Sequence, residues 1–155
     1  MSGMSKIVKT VAGFALPFVL IYGLYVIAHG HLTPGGGFQG GAVVASGLAM
    51  ILVAYGSIWT MGKIKGKDIS LFESLGAIAF IGLAFFGLIF GGAFFNNYIL
   101  DNGYFFNDVA EGASNINTAG VIPFMNFAVG LKVIAGLFAI VLVMAYATSK
   151  KEGAE

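Results

Sequence analysis

Four long apolar runs, separated by short polar stretches, dominate the sequence. They cover residues 7–28, 38–59, 71–95 and 121–147. Each run holds about twenty or more residues, which is enough for a helix to cross a hydrocarbon core of about 30 Å. The pattern therefore predicts an all-α integral membrane fold with four transmembrane helices.

The first run has an alternative interpretation as a secretory signal. Its apolar stretch is longer than the core of a typical signal, and no small-residue cleavage site follows it. We therefore expect this run to be retained as a membrane span. Because the four spans and their connectors take up most of the 155 residues, we expect no separate soluble domain.

Apart from Lys132, the lysines lie near the two ends of the chain or in the second connector. They are Lys6, Lys9, Lys63, Lys65, Lys67, Lys150 and Lys151. Connectors 29–37 and 96–120 contain no lysine, and the second of these carries Asp101, Asp108 and Glu111. Because lysine-rich connectors tend to stay on the cytoplasmic side, this distribution predicts a multi-pass protein of the cytoplasmic membrane with both termini in the cytoplasm.

Composition excludes several classes of function. Hydrophobic residues make up 58% of the chain and charged residues only 10%, which is far from the average soluble domain. The chain has no cysteine, so thiolate catalysis and iron–sulfur ligation are excluded, and any redox activity would belong to partner subunits. It also has no arginine and no nucleophile–base set. We expect no catalytic residues, no cofactor and no nucleic-acid binding.

The connector between the first two runs is dense in glycine and proline and reads HGHLTPGGGFQGG over residues 29–41. Such a stretch cannot continue a helix, so we predict that the chain reverses here. Its glycines would let backbone carbonyls approach a cation or a neighbouring helix closely, and Gln39 could offer a carbonyl oxygen. His29 and His31 are expected to act as hydrogen-bonding or proton-exchanging groups rather than as metal ligands, because no third ligand accompanies them.

Two nucleotide-binding motifs are matched only incompletely in this connector. Gly35, Gly37 and Gly40 match G-x-G-x-x-G, but no β-strand precedes them and no βαβ unit surrounds them. A phosphate-binding loop needs Lys-Ser or Lys-Thr after its glycines, whereas Gly41 is followed by alanine. We therefore expect neither a dinucleotide site nor a P-loop.

Small residues recur at helical spacing in three of the runs. The predicted stripes are Ala42, Ala45, Ser46 and Ala49 headed by Gln39; Ala77, Ala84, Gly87 and Gly91 headed by Glu73; and Ala128, Ala135, Gly136 and Ala139 around Lys132. Lipid tails are as apolar as leucine, so helices in a bilayer associate through close packing of small residues. We expect part of this surface to pack against other membrane subunits.

Lys132 lies near the middle of the last run. A charge at that depth costs about 2.5–3.5 kcal/mol on insertion scales and therefore needs a compensating partner. Snorkelling to the membrane surface is the alternative, but the centre of a span is too far from either interface for it. We predict that Lys132 faces protein, in a charge network or at a subunit contact.

Glu73 is the only acid inside a predicted span and has two interpretations. Ser70-Leu71-Phe72-Glu73 fits the S-x-x-E capping box at a helix start, which we weigh above a role in ion handling. A predicted start at Leu71 places Glu73 near the cytoplasmic end of its helix, so a direct pair with Lys132 is not expected. Pro17 removes a backbone hydrogen bond to Gly13 and is expected to kink the first helix, where exposed carbonyls could line an ion path.

Two blocks resemble a known family. Residues 18–23 (FVLIYG), followed by 29–41 (HGHLTPGGGFQGG), resemble the MnhB (MrpB) subunit of multisubunit Na⁺/H⁺ antiporters. Residues 122–126 (IPFMN) and 129–133 (VGLKV) are similar to the last helix of that family. The resemblance covers nearly the whole chain, and similar subunits occur in membrane-bound hydrogenases and sulfur-reducing complexes.

The resemblance implies a single MnhB-like membrane domain over residues 1–155 that has no enzymatic activity of its own. Its partners would be the other membrane subunits of an Mrp-type antiporter or a related hydrogenase-like complex, with Na⁺ and H⁺ as transported ions. The candidates for an ion path are Lys132, Glu73, His31 and Gln39. The motif positions expected to be structural are Thr33, Pro34, Gly35, Gly36, Gly37, Phe38, Gly40, Gly41, Pro17, Pro123 and Asn126.

Two functional hypotheses remain open at this point. In the first, the chain packs against sister subunits and Lys132 contributes to a Na⁺ or H⁺ pathway. In the second, the chain is a purely structural spacer and ions pass through partner subunits. An autonomous homo-oligomeric carrier is disfavoured because four spans without an internal inverted repeat do not match the usual transporter architecture.

Overall fold

The computed structural model describes residues 4–32, 34–101 and 119–152, in which all regular secondary structure is helical. The helices are α1 (Lys6–Ala28), α2 (Gly36–Tyr55), α3 (Ser57–Lys63), α4 (Gly66–Gly91), α5 (Tyr98–Asp101) and α6 (Ile122–Glu152). Four of them are long and apolar enough to cross a membrane: Lys6–Ala28, Gly36–Tyr55, Gly66–Gly91 and Ile122–Ser149. The prediction of an all-helical chain with four membrane spans is confirmed, and the cytoplasmic placement of the termini stays a prediction.

The second span ends earlier than predicted. Gly56 adopts φ 90° and ψ 157°, which L side chains rarely adopt, and it stops α2 at Tyr55 rather than at Trp59. The chain then continues as the short helix α3. The apolar run is continuous in sequence, so hydropathy alone could not detect this break.

The third span, α4, is displaced toward the N-terminus relative to its prediction. It begins at Gly66 instead of Leu71, and it ends at Gly91 instead of Phe95 because Gly92 has a left-handed conformation at φ 73°. Asp68 lies in the first turn, where a negative charge favours the helix dipole. Ile69 is buried in the core, so tertiary packing supports the added turn.

Helix α6 is central to the packing. The hairpin of α1 and α2 packs against it, and α4 packs on it separately. A buried cluster joins three of these helices through Leu52, Ile69, Ala135, Phe138 and Leu142. The outer faces of α1 and α4 carry many exposed large apolar side chains, as expected for surfaces that meet lipid or other membrane proteins.

Glycines set the closest helix contacts. A Cβ at Gly40 would lie 2.7 Å from the carbonyl oxygen of Gly23, so α1 and α2 approach almost backbone to backbone. On the other side of α2, a Cβ at Gly41 would lie 2.9 Å from the carbonyl oxygen of Gly130 in α6. These glycines supply the close packing that holds helices together where hydrophobic burial contributes little.

The small-residue stripes are confirmed only in part. In α2 the buried residues are mainly glycines, whereas Ser46 is exposed and donates a hydrogen bond to the carbonyl oxygen of Val43 at 2.7 Å. In α4, Ala84 and Gly87 are buried beneath the segment that follows the helix and not beneath a neighbouring span, because Phe95 and Asn96 fold back over them. In α6, Ala128 and Ala135 are buried as predicted.

Candidate functional site

Lys132 and Glu73 form an ion pair across the contact between α6 and α4. The Nζ of Lys132 lies 3.7 Å from the Oε1 of Glu73. The expectation that these residues do not pair was wrong. The capping interpretation of Glu73 was also wrong, because α4 begins at Gly66 with Lys65 as its N-cap residue and Glu73 lies two turns inside the helix.

Gly76 makes this pairing possible, and Gly136 lies next to the pair. A Cβ at Gly76 would lie 2.7 Å from the carbonyl oxygen of Ala128 and 2.9 Å from the Cβ of Lys132, so a larger residue there would push α4 away from α6. The carboxylate of Glu73 lies beside Gly136, at 3.7 Å from the position that a Cβ would occupy. Small residues around Lys132, which the sequence showed, therefore act by bringing the Glu73 helix close.

The pair lies near the middle of the bundle. Gly37 of α2 packs on Asn126 and Leu52 of α2 clusters with Leu142, so α2 runs along residues 126–142 of α6. That segment is about 24 Å long at the α-helical rise. The ion pair connects Lys132 to the level of Gly136, which is close to its midpoint.

Both charged side chains remain partly exposed on the outer surface of the chain. The exposed fraction is 52% for Lys132 and 43% for Glu73. Their separation is longer than a hydrogen bond, so within the described residues the pair is held by charge alone. A carboxylate and an ammonium group in this arrangement can exchange protons or hold a passing cation at the carboxylate, provided that water or protein reaches them.

Part of the glycine-rich stretch packs against α6 as the first turn of α2, which begins at Gly36 and not at Phe38 as predicted. Gly36 and Gly37 are buried, and Gly37 faces the backbone carbonyl of Asn126 so closely that a Cβ would overlap it. A Cβ at Gly30 would lie 2.9 Å from the Nδ2 of Asn126, and one at Gly36 would lie 3.0 Å from its Oδ1. The sequence suggested that these glycines let the backbone approach either a cation or a neighbouring helix. The contacts show the approach to a neighbouring helix.

The other motif residues occupy different positions. Thr33 lies outside the described residues, as do Asp108 and Glu111. Pro34, Gly35, Phe38 and Gln39 are exposed, and the Gln39 side chain lies over Gly35. Gly40, Gly41 and Pro123 are buried, His31 is half-buried, and Pro17 is exposed within the continuous α1. The structure thus brings Glu73 to Lys132, and Asn126 to the glycines, as separate groups.

Sequence reasoning missed one polar contact. The side chain of Asn97 donates to the carbonyl oxygen of Ala119 at 3.1 Å, and its Oδ1 accepts from the backbone N–H of Val121 at 2.8 Å. This amide therefore joins the segment after α4 to the start of α6. The partners are more than twenty residues away along the chain, so no local pattern marks Asn97.

Helical spans, glycine-mediated helix contacts and a charged pair at mid-length define a polytopic membrane protein. A family profile described as "Domain related to MnhB subunit of Na+/H+ antiporter" matches residues 7–139. The chain belongs to this MnhB family, which confirms the resemblance inferred from its sequence.

Two curated relatives extend this result. An uncharacterized protein of Methanocaldococcus jannaschii is 35% identical over 136 residues, which are 86% of this chain and 49% of that protein. A Na(+)/H(+) antiporter subunit of Bacillus subtilis is 35% identical over 49 residues, which are 32% of this chain and 34% of that protein. The chain therefore spans half or less of the length of these relatives.

A solved structure has the same fold. One chain of the membrane-bound sulfane sulfur reductase, an archaeal respiratory membrane complex, matches with a TM-score of 0.70 and 27% identity. The match covers 93% of this chain and 61% of that chain. Chains similar to this one thus occur both in an antiporter and in a respiratory membrane complex.

Proposed function

We propose that this chain is a non-catalytic membrane subunit of a multisubunit cation/proton antiporter module, in which the Lys132–Glu73 pair belongs to a Na⁺ or H⁺ pathway. Family membership supports the module, since one relative is named as an antiporter subunit and the solved neighbour is part of a membrane complex. The observation that carries the pathway role is the ion pair at mid-length of the bundle.

The energetics favour a functional pair over an incidental one. Charged groups inside a membrane are costly and, where they occur, usually line ion paths or pair with one another. Here the cost is only partly offset, because the pair lacks hydrogen bonds within the described residues and about half of each side chain is exposed. A chain selected only to fill space would be more stable with apolar residues at both positions.

The same pair fits a role in either an antiporter or a redox-driven membrane complex. In an antiporter the pair would contribute to the exchange of Na⁺ and H⁺, and in a redox-driven complex it would contribute to the ion movement that electron transfer drives. The redox chemistry would lie in partner subunits, since this chain has no cysteine for an iron–sulfur cluster. We place both termini on the cytoplasmic side, as the lysine distribution indicates.

Transport by sealed membrane vesicles that contain the assembled complex tests this proposal. Lys132→Met should lower Na⁺-linked proton transport by about tenfold or more, equivalent to about 1.4 kcal/mol in the transport barrier, because the charge at the pathway is lost. The double variant Lys132→Met/Glu73→Gln should be equally slow although it leaves no unpaired carboxylate. Ile140→Met, an exposed position of the same helix, serves as the matched control and should transport normally.

The alternative function is the structural spacer. It predicts that Lys132→Met transports at the normal rate once the complex has assembled, and that result would refute the pathway role. A Gly36→Val variant does not separate the two functions, because Gly36 has φ +47° and its Cβ position lies 3.0 Å from Asn126. That variant is expected to disturb assembly in either case, so the decision depends on Lys132.

A further inference from the structure

We infer that, in the assembled complex, the Lys132–Glu73 pair is covered by a transmembrane helix of another subunit that presents neutral hydroxyl or amide side chains to both charges. This inference rests on the proposed function to the extent that it takes the chain to be a subunit of a membrane complex. It adds which face is covered and what chemistry covers it.

The face is defined by its geometry. Glu73 lines a cavity of about 140 Å³ between α3, α4 and α6, together with Ser70, Ala139 and Val143, whereas Lys132 lies beside this cavity and not in its lining. Val143 is 62% exposed there. Both charged side chains are about half exposed and no residue of α1 or α2 lines the cavity, so this face is open to whatever surrounds the chain.

The hydrogen-bonding state of the pair requires a polar occupant. At 3.7 Å the ammonium group of Lys132 is beyond hydrogen-bond distance of Glu73, and with 52% of its side chain exposed its donors face the surroundings of the chain. Acyl chains offer neither donors nor acceptors, and each unsatisfied polar group in hydrocarbon costs several kcal/mol. Lipid is therefore a costly neighbour for this pair, and a polar protein surface is the favoured one.

Charge complementarity selects neutral groups. The pair is formally neutral, so a carboxylate or an ammonium group on the covering helix would leave a net charge in the membrane. Hydroxyl and amide side chains can both donate to Glu73 and accept from Lys132 without adding charge. These are also the groups that form hydrogen bonds between helices in membranes.

The shape of the face admits a helix. Gly136 and Ala139 lie next to the pair and are only half-buried within the chain. Small residues at such a position let the backbone of a second helix approach closely enough for short hydroxyl and amide side chains to reach the charges.

Photo-cross-linking in the intact complex tests the covering helix. The chain has no cysteine, so a benzophenone probe on Val143→Cys occupies one position of this chain, and the wild-type complex treated with the same probe controls for cysteines of other subunits. We expect an adduct with a different membrane subunit. Adducts with lipid alone, or with a second copy of this chain, would overturn the inference. The same probe in the chain expressed without partners should yield no adduct with another protein.

A charge exchange tests the neutral chemistry. In Lys132→Glu/Glu73→Lys the pair is kept in reverse, so a covering helix with hydroxyl or amide groups should still copurify at the wild-type level. Loss of the complex, with the chain still inserted in the membrane, would show that the partner carries a charge and would overturn the inference.

If the exchanged chain fails to insert, Lys132→Gln/Glu73→Gln takes its place. This variant removes both charges and keeps hydrogen-bonding groups, so the complex should again persist, and its loss would count against neutral groups. These outcomes are independent of transport. If Lys132→Met transports normally while the complex assembles and the protein adduct forms, the pathway role is refuted and the covering helix is retained. If Lys132→Met transports slowly but no protein adduct forms, the covering helix is refuted and the pathway role is retained.

Discussion

At the scale of single residues, glycines that allow close helix contacts are as important to the candidate site as its charged residues. Gly76 lets Lys132 and Glu73 meet, and Gly37 lets the start of α2 lie against Asn126. The sequence identified Lys132 as an unusual charge and the connector as a motif. It could not identify the contact between Gly37 and Asn126, because that contact depends on the relative position of two helices far apart in the chain.

The Gly37 contact gives a quantitative prediction. In Gly37→Ala the new Cβ would overlap the carbonyl group of Asn126, and we expect the free energy of unfolding to fall by about 1–3 kcal/mol. Gly13→Ala is the matched control, because a Cβ there meets nothing within 4 Å, and it should stay within about 1 kcal/mol of the wild type. Denaturant titration of the purified chain in mixed micelles measures both. Equal stability of the two variants would contradict the packing described for Gly37.

At the scale of elements, the spans were predictable and their ends were not. Hydropathy locates apolar helices, but α2 ends at Gly56 through backbone geometry and α4 gains a turn through the burial of Ile69. The earlier start of α4 changes the position of a candidate site residue. Moving the start of α4 from Leu71 to Gly66 places Glu73 well inside the helix, at the level where Lys132 can reach it.

The start of α6 depends on the amide of Asn97. Asn97→Ala removes both of its hydrogen bonds, to Ala119 and from Val121, and should cost about 1–3 kcal/mol at this junction. The measurement is hydrogen exchange at the Val121 amide, which should become much faster. Asn97→Asp keeps an acceptor for Val121 and should preserve most of the protection. Unchanged exchange in the alanine variant would show that Asn97 does not hold the junction.

At the scale of the whole molecule, α6 is the axis of the bundle and the ion pair lies on its outward side. The hairpin of α1 and α2 occupies one part of α6, α4 occupies another, and the surface around Lys132 is partly exposed. Sequence reasoning reached the class of protein, the family and the need for a partner to Lys132. Because that pairing depends on the register between α4 and α6, only the structure could name Glu73.

The central claim is that Lys132 and Glu73 remain paired at the middle of the membrane and are enclosed by protein. The most direct measurement is an electron cryo-microscopy map of the native complex in lipid nanodiscs. We predict that the two side chains stay in contact and that a helix of another subunit lies within about 4 Å of them. A map in which the pair is broken, with the lysine against acyl chains or in bulk water, would contradict this account.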